Sequence, residues 1–309
     1  MFSKFYLSFR RLIRNLLLKN LFLYRNLSNA LIYVDSYLKS IPFFKHEFNK
    51  SQIDFYGYTF AFNKENYYLA ESIIRNNSYE KATVDAIHSI LKPDSTFLDL
   101  GANIGIISIL ASKALGQNGK IISFEPHPTT FDSLQLNIIQ NNLSDIIIPE
   151  KIAITNKLGN FVFLEFEDAQ KNLMVHEKEN PSKFGDDFKK SSSVKGMSVD
   201  DYFKDISNKK VDLVKIDIEG QELNSLYGMQ EIINANPNIN IIFEYNKIFM
   251  EKDITEVIKF LKLNSFNYFK MLYGDQGSFD IENLDQTKLN SLSKKMNFNL
   301  LVSKRPFIF

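Results

Sequence analysis

Apolar positions along the chain change period repeatedly. Short, nearly continuous apolar runs, suited to buried strands, alternate with stretches where apolar residues recur every three or four positions, as on one helix face. This pattern predicts strands over residues 96–100, 120–124, 146–154, 160–166, 211–217 and 239–244. It predicts helices over 79–91, 104–115, 129–142, 198–206, 219–234 and 253–264. At the end of the chain, strands over 266–272 and 298–303 flank a helical 285–295. Alternation of this kind implies an α/β fold. One mostly parallel sheet carries helices on both faces, and the terminal pair supplies an antiparallel last strand.

The flanks of this region read differently. Residues 1–50 form a helical leader with no acid before Asp35. On a helical wheel Lys4, Arg10, Arg11, Arg14 and Arg25 fall on one side, while Phe2, Phe5, Phe9, Leu12, Ile13, Leu16, Leu23 and Leu27 fall on the other. Such a helix either lies on an anionic membrane through residues 1–30 or packs on the main domain or a partner. Lys19 and Arg25 interrupt the apolar stretch, against a cleaved signal peptide, and no charge-free run is long enough to span a bilayer. Residues 51–78, rich in Tyr and Phe, read as a short hairpin or lid, and 79–309 as the main domain. Within it, the polar 167–195, with Pro181, Gly185 and a serine triplet, reads as a mobile substrate loop.

Composition narrows the function classes. A net charge of +1 over 309 residues argues against a general nucleic-acid binder. There is no cysteine, hence no disulfide, thiol nucleophile or thiolate-bound metal, which fits a reducing compartment such as the cytoplasm. His46, His88, His127 and His176 lack ligand spacing, so no histidine-based metal site is expected.

The chemistry concentrates in two places. In Thr96-Phe-Leu-Asp-Leu-Gly-Ala-Asn-Ile-Gly105 a buried strand runs into a glycine turn and then a helix. Bare backbone beside a helix N-terminus is a place for a ligand. The second strand ends in Phe124-Glu125-Pro126, where an acid holds a ribose diol in nucleoside-binding α/β folds. A dinucleotide fingerprint needs three glycines in G-x-G-x-x-G, whereas this turn reads Asp99-x-Gly101-x-Asn103-x-Gly105. An acid there repels phosphate and suits an ammonium, which favours S-adenosylmethionine over NAD. Asn137 is expected to fix the Glu125 loop, and His127 to pack near the adenine side.

The second place is Lys215-Ile-Asp-Ile-Glu-Gly220, closing the fourth strand of the alternating pattern. Asp217 and Glu219 alternate with Ile216 and Ile218, so both carboxylates project from one side beyond the carboxyl edge, where α/β sheets bind ligands. Two carboxylates and an ammonium can orient a hydroxyl, take its proton or bind a divalent ion. Asp217 is the expected base or orienting group, with Glu219 and Lys215 in support. Glu219 also suits a helix N-terminus. Glu244, at the end of the next strand, either contacts substrate or pairs with Lys215.

These residues resemble a known family. Phe97-Leu-Asp-Leu-Gly-Ala-Asn-Ile-Gly105, Phe124-Glu-Pro-His-Pro128, Ser198-Val-Asp-Asp-Tyr202 and Lys215-Ile-Asp-Ile-Glu-Gly220 look like the FkbM-type S-adenosylmethionine-dependent methyltransferases. The resemblance implies a Rossmann-like class I methyltransferase fold with a seven-stranded sheet. It implies methyl transfer to a hydroxyl, often on a sugar, glycan or related metabolite. Carried over by position, Asp99, Gly101, Asn103 and Gly105 shape the methionine side of the cofactor pocket, and Glu125 with Pro126 the ribose side. The segment around Ala153 touches adenine, and Glu80 faces the cofactor site. Ile152 stands where many such enzymes carry an acid. Two other readings are a catalytically inactive membrane-associated binding protein of this fold and a NAD- or nucleotide-sugar-linked enzyme.

Overall fold

The computed structural model describes residues 51–63, 66–165, 173–177, 190–218, 220–245, 254–275, 277–281, 285, 287 and 298–307. The leader and nearly all of the expected helix over 285–295 lie outside the described residues. A hairpin of β1 (Gln52–Phe55) and β2 (Tyr58–Ala61) is followed by helices α1 (Tyr67–Asn76) and α2 (Lys81–Ile90). The alternating core runs β3 (Thr96–Leu100), α3 (Ile106–Ala111), β4 (Lys120–Phe124), α4 (Pro128–Gln140) and β5 (Ile147–Glu150). A second group of strands follows: β6 (Ala153–Ile154), β7 (Gly159–Glu165), β8 (Leu173–His176) and β9 (Lys190–Met197). After α5 (Val199–Tyr202) the core resumes with β10 (Leu213–Ile216), α6 (Glu222–Tyr227), α7 (Gln230–Ala235), β11 (Asn240–Tyr245) and α8 (Ile254–Leu263). It closes with β12 (Tyr268–Tyr273), β13 (Gly277–Ile281) and β14 (Phe298–Ser303).

The main sheet has the order β13-β12-β14-β11-β10-β3-β4-β5. Strands β5, β4, β3, β10 and β11 are mutually parallel, and β14 pairs antiparallel with both β11 and β12. This is the mostly parallel α/β sheet that the apolar pattern predicts and the Rossmann-like class I methyltransferase arrangement that the family resemblance implies. The sheet has eight strands rather than seven, because β13 folds back on β12 beyond the turn at Gly274.

Period-two alternation splits the core into two layers. Leu98, Leu100, Val214, Ile216, Ile241, Phe243, Leu300 and Val302 face one cluster with α7 and α8. Phe97, Leu213, Ile242 and Leu301 face the other, with α2, α3 and α4. By the same alternation Asp99, Lys215, Glu244 and Asn299 project toward this second layer, whose helices therefore cover the polar part of the sheet.

Several elements differ from the sequence prediction. The strand expected over 146–154 is two strands in different sheets. The Glu150 carbonyl accepts the N–H groups of both Glu125 and Ile152 at 3.0 Å, which turns the chain out of the main sheet. Within 167–195, read as a loop, lie β8 and most of β9; with β6 and β7 they form a second sheet of order β6-β9-β7-β8. Helix α1 lies where the hairpin segment was expected to run on, although Leu69, Ala70, Ile73 and Ile74 have helical spacing and are buried. The helix expected over 219–234 is broken into α6 and α7. The Asp200 carboxylate accepts the N–H groups of Glu231 and Ile232 at 3.0 Å and so caps α7, while the Gly228 carbonyl accepts the Asp200 N–H. The break also brings Gly228 against the second sheet: a Cβ there would lie 2.3 Å from the Thr155 carbonyl oxygen.

Gly228 has an ordinary φ of −79°, so Gly228→Ala tests space alone. We expect a loss of about 1–3 kcal/mol, read as a lower denaturant midpoint at constant slope. An unchanged midpoint would show that the junction between the sheets gives way freely.

Candidate active site

The site is built from the strand register. Asp99 on β3 lies beside Lys215 on β10, and Glu244 on β11 lies beside Asn299 on β14. Lys215 is 3% exposed and Asp99 fully buried. The Lys215 ammonium donates to Asp217 Oδ2 at 2.9 Å, and Asp217 itself stands partly exposed just past the strand end. Behind Lys215, at the start of α2, the half-buried Glu80 has a positive φ of 40°. Asn299 Nδ2 donates to Glu80 Oε2 at 2.9 Å and to Thr83 Oγ1 at 2.8 Å. Lys215 is thus a buried cation shared among carboxylates.

The glycine turn is joined to this cluster by direct contact. Gly101 has φ +82°, and a Cβ on it would lie 1.9 Å from the Asp217 carbonyl oxygen. Its lack of a side chain serves the close approach of two strand ends. Ser108 Oγ donates to Asp99 Oδ2 at 2.5 Å, while Asp99 Oδ1 is buried with no hydrogen-bond partner among the described residues. Across the turn, Glu125 Oε2 accepts the Asn103 N–H at 3.0 Å and Oε1 accepts the His127 N–H at 2.9 Å. One amide per oxygen leaves further lone pairs on Glu125 for a diol.

Charge in this region is costly, and the acids show it. Burial raises Asp99 and Glu80 above the ordinary carboxylate range, against the opposing pull of Lys215. Burial pushes Glu125 and Glu222 up to about 7. Glu244 is pushed up to about 8 by burial first and by the charge of Asp217 next. For Lys215 burial works downward, but Asp217, Asp99 and Glu80 outweigh it and hold the ammonium well above its usual value.

One cleft of about 500 Å³ collects most of the expected residues. Asp99, Gly101, Asn103, Glu125, Pro126, Ala153, Lys215 and Asp217 all line it, and so does His127. Gly105 opens α3 with φ +89° but does not line the cleft, and neither do Glu80 and Glu244. Glu219 lies outside the described residues. Asn137 has a different task from the one expected: it accepts the Ala61 N–H and donates to Ile104 O, pinning the hairpin over α4. Sequence reasoning missed Tyr79, Tyr68, Phe163 and Ile154 on the cleft wall. It also missed Glu222, whose carboxylate accepts the Gly220 N–H. Only Glu222 carried a signal, as an acid at a predicted helix start.

The chain matches the Methyltransferase FkbM domain over residues 99–269, more than half its length. It belongs to the FkbM methyltransferase family. This methyltransferase is 26% identical over 193 residues to the hexuronic acid methyltransferase AglP of Haloferax volcanii, covering 62% of this chain and 73% of that protein. It is also 26% identical over 189 residues to the methyltransferase sdnD of Sordaria araneosa, covering 53% and 73%. Among solved structures, a SAM-dependent O-methyltransferase from Thermotoga maritima aligns with a TM-score of 0.40 at 9% identity, covering 74% of this chain and 66% of that one. Among the described residues no helix is long and apolar enough to cross a membrane, and no group of acids and histidines is placed to hold a metal ion.

Glu244→Gln tests the electrostatic account. The native carboxyl has a folded value of about 8 against 4.5 for the free group, so its cost begins above pH 4.5 and is complete above pH 8. We expect the variant to be more stable by about 1–3 kcal/mol at pH 8, with the gain vanishing toward pH 4.5. A gain that does not vary with pH would contradict this.

Proposed function

We propose that this methyltransferase uses S-adenosylmethionine to methylate a hydroxyl oxygen on a sugar, glycan or related small metabolite. The observation that carries the cofactor reading is Asp99, a buried acid lining the cleft whose Oδ1 has no hydrogen-bond partner among the described residues. An ammonium is its natural complement, and a phosphate is not. Glu125, with spare lone pairs on the far side of the glycine turn, suits the ribose diol. The sugar acceptor is favoured by the likeness to a hexuronic acid methyltransferase.

When bound, S-adenosylmethionine supplies an electrophilic methyl group on a sulfonium. The chain's own residues then have two tasks, alignment and proton removal. Lys215 engages Asp217 Oδ2 and fixes the carboxylate at the cleft, leaving Oδ1 to accept the acceptor hydroxyl's proton. Gly101, packed on the Asp217 backbone, keeps the cofactor turn and this base in one rigid frame. Alignment within such a frame can remove much of the barrier. Glu219 serves as a further supporting group beside this base.

Calorimetric titration with S-adenosylhomocysteine tests the cofactor half. Binding is expected for the native chain and for Asp217→Asn, and is expected to be lost in Glu125→Ala. In an acceptor screen on sugars, Asp217→Asn should be slower by about 10² to 10⁴. Native-like turnover of Asp217→Asn would remove Asp217 from proton transfer, and no binding by the native chain would end the cofactor reading.

A further inference from the structure

We infer that Phe163, on the second sheet, forms with His127 the aromatic wall against which the cofactor's purine stacks. The inference rests on the S-adenosylmethionine reading of the cleft and adds a binding residue from outside the main sheet.

Phe163 lines the cleft, and it comes from β7, in the four-stranded second sheet. Its ring centroid lies 5.2 Å from that of His127, with the planes tilted by 54°. His127 is held at both ends. Its N–H donates to Glu125 Oε1 at 2.9 Å, and its Nδ1 lies 3.1 Å from Thr130 Oγ1. The group proposed to hold the ribose is therefore bonded to the backbone of one member of the aromatic pair. A base attached to that ribose is brought within reach of this wall by the short length of a nucleoside.

Beside this pair the cleft is lined by Ile152, Ala153 and Ile154, whose side chains are all apolar, and by Thr130, whose hydroxyl is engaged with His127 Nδ1. They can pack on a purine face but make no side-chain hydrogen bond to its edge. Stacking is then the main side-chain contribution available, and aromatic rings supply it for any base.

Phe163 is also fixed in place. Strand β7 is paired on one edge with β9 and on the other with β8. Two residues earlier on the same face, Phe161 packs where a Cβ of Gly196 would sit, 2.4 Å from its ring. Phe163 itself is only half-buried beside the apolar cluster of Ala153, Phe161 and Val194, and its open part borders the cleft.

Two measurements on the full chain test this. In calorimetry with S-adenosylhomocysteine, Phe163→Leu keeps apolar bulk but has no ring face, and we expect binding about ten-fold weaker or more. Phe163→Tyr should bind within about two-fold of the native chain. The chain has no tryptophan, so Phe163→Trp introduces a single indole reporter. Its emission should be quenched by S-adenosylhomocysteine as the purine stacks on it. Native-like binding by Phe163→Leu, equal weakening in Phe163→Leu and Phe163→Tyr, or an emission of Phe163→Trp indifferent to ligand would each overturn the inference. Those outcomes leave the cofactor reading intact, whereas failure of the native chain to bind overturns both.

Discussion

Lys215 is the constraint on which the site depends. An ammonium 3% exposed in the middle of a parallel sheet is tolerable only with partners in contact, and a carboxylate as buried as Asp99 is tolerable only near a cation. Each makes the other affordable, and Asp217 and Glu80 complete the surroundings of the ammonium. The arrangement follows from strand register, since Asp99 and Lys215 are cross-strand neighbours on β3 and β10. One cation nonetheless serves several carboxylates. Burial pushes Glu125 and Glu222 up to about 7 independently of that cation, and burial with the charge of Asp217 pushes Glu244 up to about 8.

Rigidity at the site comes from closeness of backbones. Gly101 meets the Asp217 carbonyl at a distance that excludes any side chain, so the turn after β3 and the end of β10 cannot move independently. The Glu125 carboxylate, by accepting the Asn103 and His127 amides, ties the ends of β3 and β4 in the same way. The hairpin is held over α4 by Asn137, Gln140 and Asn141, which bond to the backbone of Thr59 and Ala61. The cleft is thus framed by hydrogen bonds between elements far apart in sequence.

The second sheet shows how a short local event changes a large region. The turn after Glu150 diverts two residues, Ala153 and Ile154, into pairing with β9. That pairing carries Phe163 to the cleft and places Gly228 under the Thr155 carbonyl. Asp200 then caps α7 from the neighbouring helix, so the interruption between α6 and α7 is part of the same junction.

The sequence by itself determined the α/β alternation, because burial on a sheet or on a helix demands different apolar spacings. It also marked Asp99, Gly101, Asn103, Glu125, Lys215 and Asp217, because charged and glycine residues at the ends of apolar strands have few purely structural uses. The structure brings these six to one cleft. The eighth strand, β13, follows from a short turn after β12 that the apolar pattern did not mark. The second sheet and the divided helix were decided by tertiary contacts: each depends on a partner distant in the chain, β9 for β6 and Asp200 for α7. The same holds for Phe163 and Glu80. Nothing local distinguishes a phenylalanine on a cleft wall from one in a core, or a glutamate behind a buried lysine from one in water, since burial and partners exist only once the sheet has formed.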